Sequence, residues 1–174
     1  MTVLRNLARN LLPPPPPARA SSPETVALLR ARLREAAQRR LGRSLAIRHV
    51  ASGSCNACEL ELRATRNLIH DLTQYGLDFT PSPRHADVLL LTGVAGCNMR
   101  EAVLRTREAM PDPVLVVAIG DCAADGGVFK GSPAIAGGAD ALLPVDLLVP
   151  GCPPPPWQIV EGLLALIEAH GQTR

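Results

Sequence analysis

The sequence predicts an α/β protein, a doubly wound parallel sheet preceded by an N-terminal helical extension. Three observations carry that expectation. Residues 87–92 and 114–119 contain uninterrupted apolar runs, VLLL and VLVVAI, too short for buried helices and suited to strands covered on both faces. Segments with apolar residues every three to four positions lie around them and read as amphipathic helices. The two kinds of segment alternate from residue 44 onward, the order that winds helices over both faces of one parallel sheet.

Each element follows in turn. In residues 1–12, Val3, Leu4, Leu7, Leu11 and Leu12 fall at helical spacing with Arg5 and Arg9 off that stripe, the pattern of a short interfacial helix. Pro13 to Pro17 form a stiff polyproline spacer, so residues 1–17 are a basic amphipathic arm. Within residues 18–43, Ser22, Pro23 and Glu24 supply an N-cap, a first-turn proline and an early acid, and Val26, Leu29, Leu33, Ala36 and Ala37 continue a helical stripe to Gly42. Residues 44–174 form the α/β domain. Strands are expected at 45–50, 77–80, 87–92, 114–119 and 142–149, and helices at 59–75 (closed by Gly76), 99–110 and 157–170. A flavodoxin-like arrangement is the natural form of such a chain, with ligands expected beyond the carboxyl ends of the strands.

Composition narrows the function. The chain has 174 residues, enough for one ordinary domain, so a function needing a second domain recruits it from another polypeptide. Phe, Tyr and Trp together make 2%, which leaves an aliphatic core and few rings on which a nucleic-acid base could stack, and no nucleic-acid partner is expected. The net charge of +2 hides a division: residues 1–50 carry +8 and residues 51–174 carry −6. A basic arm joined to an acidic body can meet anionic lipid, nucleic acid or an acidic partner subunit, and the sign alone does not choose among them. No apolar run is long enough to span a bilayer and no secretory segment is recognisable, so a soluble or peripheral protein inside the cell is expected.

The chemistry rests with the cysteines. Cys55 and Cys58 follow the first predicted strand, Cys122 follows the strand at 114–119, and Cys152 follows the last strand. Parallel strands bring these loops to one sheet edge, and each carries glycine beside its cysteine, which lets backbone N–H groups turn toward an anion. Four converging thiolates suit a 4Fe-4S cluster or a tetrahedral zinc site. A thioredoxin-like dithiol and a disulfide framework are weaker readings. The residues between Cys55 and Cys58 are Asn and Ala, and an intracellular chain of this size has its own core. Cys97 also follows a strand and reads as a small buried hydrophobe. The glycines match no phosphate-binding loop. The four histidines, His49 among them, stand in no Ser/His/Asp or Cys/His constellation and read as structural or exposed.

The ordered motifs GSCNACELE, SPRHADVLLLTG, NMREA, IGDCAADGG and VPGCPPPP closely resemble the small iron–sulfur subunit shared by respiratory complex I (20 kDa, PSST-type) and the membrane-bound energy-converting nickel-iron hydrogenases of the formate hydrogenlyase type. The resemblance spans residues 44–169. It implies a flavodoxin-like fold with one 4Fe-4S cluster held by Cys55, Cys58, Cys122 and Cys152 against a large catalytic subunit. It further implies other iron–sulfur subunits, membrane subunits, and a cytoplasmic, peripheral position on the inner face of the cytoplasmic membrane. The spacer Asn56-Ala57 resembles the hydrogenase branch, complex I having adjacent cysteines there. The expected function is therefore that of an electron-transfer subunit of a hydrogenase-like complex, with a quinone-reducing complex I subunit as the alternative and a structural zinc scaffold as a third reading. Glu61, three residues after Cys58, matches an acidic position associated in that family with proton movement, and Cys97 stands where the family commonly has a polar residue.

Overall fold

The computed structural model describes residues 44–171, with side chains described up to residue 166. The basic arm at 1–17 and the helix expected at 18–43 lie outside the described residues. Strands β1 (Leu45–Ala51), β2 (Leu77–Phe79), β3 (Val88–Thr92), β4 (Leu115–Ile119) and β5 (Leu147–Val149) form one sheet in the order β2-β1-β3-β4-β5. Every pairing is parallel, with Val50 opposite Leu91 and Thr92 opposite Ile119 in the register. This is the doubly wound flavodoxin-like order, whose direction of winding switches between β1 and β3.

The apolar runs become strands because both faces of the sheet are covered. Val88 and Leu90 face a core completed by Leu62, Ile159 and Leu163, and Leu89 and Leu91 face a second core completed by Val103 and Met110. All four side chains from Val88 to Leu91 are fully buried, each worth about 1.5–3 kcal/mol relative to exposure. Two aspartates set strand entry. Asp87 Oδ2 accepts the Ala46 N–H at 2.9 Å and Asp146 Oδ2 accepts the Val116 N–H at 2.7 Å, so each acid joins its own strand to the neighbour.

Helices α1 (Ala57–Ala64), α2 (Arg100–Glu108), α3 (Asp121–Asp125) and α4 (Pro156–Gly171) complete the described chain. Two elements differ from the sequence expectation. The helix expected at 59–75 ends at Ala64 and resumes as a 3-10 turn at Leu72–Tyr75. The break is local polar chemistry: the Thr65 hydroxyl donates to Leu62 O, Asn67 Oδ1 accepts the N–H groups of Ile69 and His70, and Asp71 accepts that of Thr73. Such side chains offer the backbone partners that compete with the helical ladder. The strand expected at 142–149 is confined to Leu147–Val149. Leu142 and Leu143 donate back to Ala139 O in a 3-10 turn, and Pro144 has no N–H for a ladder.

Candidate metal centre

Three of the loops beyond the carboxyl ends of the strands carry the predicted cysteines, but β3 lies between β1 and β4 and would hold the Cys55–Cys58 loop away from the others. The loop after β3 is stripped of bulk to allow the crossing. At Gly93, with φ +81°, a Cβ would sit 2.6 Å from Gly53 O and from Ser54 Cβ, and at Gly96 it would sit 2.9 Å from Ser52 O. The two loops then pair, Val94 N–H donating to Gly53 O at 2.9 Å and Gly96 N–H to Ser52 O at 3.0 Å. On the far side, Gly120 N–H donates to Val149 O, Asp121 N–H to Gly151 O, and Gly151 N–H to Asp121 Oδ1, all within 2.7–2.8 Å. These bonds tie the Cys122 loop to the Cys152 loop, where the Cys152–Pro153 peptide is cis.

The result places Cys55, Cys58, Cys122 and Cys152 within electrostatic reach of one another. Burial pushes the Cys58 thiol up to about 12, and the negative charges of Glu59, Cys122, Cys152 and Cys55 add to the shift. Burial likewise raises Cys122, with Cys152 and Cys55 adding, while a hydrogen bond from the Val128 backbone N–H opposes them. Cys97 enters neither set, and it is exposed on the loop after β3, with its Sγ 3.9 Å from Pro133 O, rather than the buried hydrophobe expected from sequence. Glycine lines the cradle. A Cβ on Gly120 would meet Cys58 Sγ at 2.6 Å, and one on Gly127 would meet Cys122 Sγ at 3.0 Å. Four thiols whose ionised forms repel one another are a donor set that calls for a metal cation, which lowers their thiolate cost directly. Among the described residues no three His, Cys, Asp or Glu side chains stand close enough to grip one ion.

The sequence reading missed the polar group beneath the first loop. Glu59, next to Cys58, is 8% exposed, and its Oε1 accepts the Thr92 hydroxyl. That hydroxyl's single proton is thereby committed, so Thr92 Oγ1 accepts from His49 Nε2 at 2.9 Å. Burial lowers the His49 pKa against the pull of Glu59, in keeping with a neutral ring. Burial raises the Glu59 carboxyl, but the hydroxyls of Ser54 and Thr92 and nearby His49 leave it below its ordinary value. The signals were a threonine closing an otherwise apolar run and a histidine inside a strand. Glu61, the predicted acid, sits half-buried on α1 one turn beyond Cys58.

The comparisons place a doubly wound parallel sheet of this kind among the subunits of oxidoreductase complexes. The match to known proteins is specific within that class. The chain belongs to the NADH ubiquinone oxidoreductase, 20 Kd subunit family, which matches residues 55–166. It is 37% identical over 162 residues to formate hydrogenlyase subunit 7 of Escherichia coli, covering 91% of this chain and 64% of that subunit's length. It is 43% identical over 128 residues to the probable membrane-bound hydrogenase subunit mbhJ of Pyrococcus furiosus, covering 74% of this chain and 77% of the relative. Among solved structures, a chain of the membrane-bound sulfane sulfur reductase, an archaeal respiratory membrane complex, superposes with a TM-score of 0.67 at 28% identity, covering 85% of this chain and 77% of that one. The relatives are oxidoreductase subunits of multisubunit complexes, and the family is one that binds iron–sulfur groups. No helix among the described residues is long and apolar enough to cross a membrane.

Proposed function

We propose that the chain holds one 4Fe-4S cluster on Cys55, Cys58, Cys122 and Cys152 and serves as the electron-transfer subunit of a membrane-associated, energy-converting nickel-iron hydrogenase-like complex of the formate hydrogenlyase type. The observation that supports the reading is geometric: the cysteines follow β1, β4 and β5 of one parallel sheet, a Cβ on Gly120 would meet Cys58 Sγ at 2.6 Å and one on Gly127 would meet Cys122 Sγ at 3.0 Å, while Cys97 is exposed on the loop after β3. A bound 4Fe-4S group supplies one-electron transfer. The chain's own residues set the conditions for it. Gly120 and Gly127 admit the sulfurs to the backbone, the Val128 N–H donates to Cys122, and burial of Cys58 and Cys122 excludes water from one side. Cys55 and Cys152 are exposed, and Val128, Phe129 and Trp157 expose apolar surface on the segments following Cys122 and Cys152. This is the surface a large catalytic subunit would cover. Other iron–sulfur subunits and membrane subunits complete the expected assembly, on the inner face of the cytoplasmic membrane. Glu61, one turn beyond Cys58 on α1, is the candidate for proton movement near the cluster.

The reading as a quinone-reducing complex I subunit draws on the family itself. The spacer Asn56-Ala57 supports the hydrogenase branch, Asn56 taking φ +71° to set Cys55 and Cys58 apart at the start of α1. Single serine variants of each cysteine, co-expressed with the large subunit, test the proposal through iron content and low-temperature EPR after dithionite. Loss of signal is expected for Cys58, Cys122 and Cys152, with at least partial loss for Cys55, and retention for Cys97→Ser. A colourless, zinc-loaded wild type, an intact signal in Cys122→Ser, or a lost one in Cys97→Ser would overturn the assignment.

A further inference from the structure

Each of the two buried cysteines has an acid for a neighbour: Glu59 stands directly after Cys58, and Asp121 directly before Cys122. Both carboxylates are tied into the ligand loops. Glu59 Oε1 accepts the Thr92 hydroxyl at the end of β3, and the Ser54 hydroxyl donates to the same carboxylate while its Oγ accepts the Asn56 N–H at 3.2 Å. The two ends of the Cys55–Cys58 loop are thereby fastened to one buried acid. Asp121 Oδ1 accepts the Gly151 N–H at 2.7 Å and fastens the Cys152 loop to the Cys122 loop. The acids bracket Cys58, because its Sγ packs against Gly120, the residue before Asp121.

Neither charge is neutralised by an ion pair: among the described residues no salt bridge joins Glu59 or Asp121 to a Lys or Arg. Arg48 and Arg66 share a cleft with Glu59, yet Arg48 Nη1 donates to Pro81 O at 2.8 Å and Arg66 lies over the Phe79 ring, 5.8 Å from its centroid. The acids are already felt at the thiols. After burial, Glu59 is the strongest influence raising Cys58, and Asp121 adds to burial, Cys152 and Cys55 in raising Cys122. An electron added among four thiolates increases the negative charge there by one, and a fixed anion beside them raises the cost of that addition. No proton or bond changes hands: the electron arrives from a one-electron iron–sulfur donor in a neighbouring subunit and leaves to an acceptor in the large subunit. At an effective dielectric constant of about 20, a unit charge about 10 Å away shifts such an equilibrium by roughly tenfold. We infer that Glu59 and Asp121 are positioning residues that seat the four cysteines and, as fixed charges, hold the group on them at a low reduction potential, suited to delivering electrons to protons. Proton reduction needs a stronger reductant than quinone reduction does. The inference rests on the cluster assignment proposed above.

The test is a redox titration followed by low-temperature EPR, with iron content, on the full chain co-purified with its large subunit. Glu59→Gln and Asp121→Asn keep an acceptor oxygen for Thr92 and for Gly151 and remove the charge. Glu59→Gln should keep its iron and favour the reduced form about tenfold at a given potential, a rise in midpoint of about 60 mV. Asp121 is exposed, so water screens it and Asp121→Asn should shift the midpoint the same way by less. Asp121→Ala removes the tie as well and should lose iron that Asp121→Asn retains. Glu108→Gln, at the far end of α2, is the control and should leave the midpoint where it is. If both amide variants carry full iron at the wild-type midpoint, or if Glu108→Gln moves it equally, the inference falls while the cluster assignment stands. Should Glu59→Gln fail to assemble, Asp121→Asn decides alone. A wild type without a reducible signal would sink both.

Discussion

Gly120 is the position where the proposed centre can be broken without breaking the fold. Its backbone, at φ +92° and ψ 157°, lies in a region essentially reserved for glycine, where another residue costs about 1–3 kcal/mol. That is well under the roughly 5–15 kcal/mol that holds a domain together, so Gly120→Ala should fold. The second effect decides the outcome. The new methyl would stand 2.6 Å from Cys58 Sγ, whereas uncrowded contact needs about 3.5 Å or more, so the sulfur must retreat by roughly 1 Å. Metal–ligand distances tolerate about 0.2 Å. The expected result is a co-purified complex with normal circular dichroism, severely reduced iron and a lost or altered EPR signal. Gly131→Ala is the control, because it imposes an alanine at φ +87° with no atom within 4 Å of its Cβ; it should cost stability and keep the iron. Full iron and an unchanged spectrum in Gly120→Ala would show that Cys58 does not ligate from this geometry.

Two further expectations concern the metal-free chain. With burial pushing its thiol up to about 12, Cys58 should alkylate at pH 8 far more slowly than the exposed Cys97, since only the thiolate reacts, and its rate should climb about tenfold per pH unit; mass spectrometry of time-quenched samples reads this, and equal rates would contradict the buried placement. Thr92→Val removes the hydroxyl donor to Glu59 and should destabilise the full chain by about 1–3 kcal/mol in urea titrations near pH 7. Because the folded Glu59 carboxyl is held below its ordinary 4.5, its stabilisation is complete above that value and lost as pH falls through the folded one, so the gap between wild type and variant should narrow in acid; a gap that stays constant down to pH 3 would mean that Thr92 acts through packing alone.

The sheet was legible in the sequence because its central strands are apolar on every residue, and 88–91 and 115–119 admit no other assignment once the amphipathic segments around them are read as helices. The cysteines were equally plain, since each lies a few residues beyond a strand. The 59–75 segment was misread because Leu60, Leu62, Leu68, Ile69 and Leu72 keep helical spacing while Thr65, Asn67 and Asp71 quietly supply the backbone with other partners. Periodicity reports the side chains, and the break is a matter of main-chain hydrogen bonding. Glu59 escaped notice for a related reason. Beside Cys58 it looks like an ordinary first-turn helical carboxylate, and its partners Thr92 and His49 come from β3 and β1, where they stand two register positions apart on the same face.

The three-residue β5 has a consequence for the order of events during synthesis. Cys152 owes its position to Leu147–Val149 pairing with β4 at the rim of the sheet, and that strand is in turn backed by α4, where a Cβ on Gly162 would sit 2.9 Å from Val149. A nascent chain that has emerged as far as residue 146 can assemble β1, β3 and β4 and bring Cys55, Cys58 and Cys122 to the same edge, yet the fourth thiol has no seat until the closing helix is available to hold β5 down. Any group that requires all four sulfurs must therefore be loaded after α4 has been synthesised, and a chain arrested within that helix would leave a three-thiol edge open to oxidation.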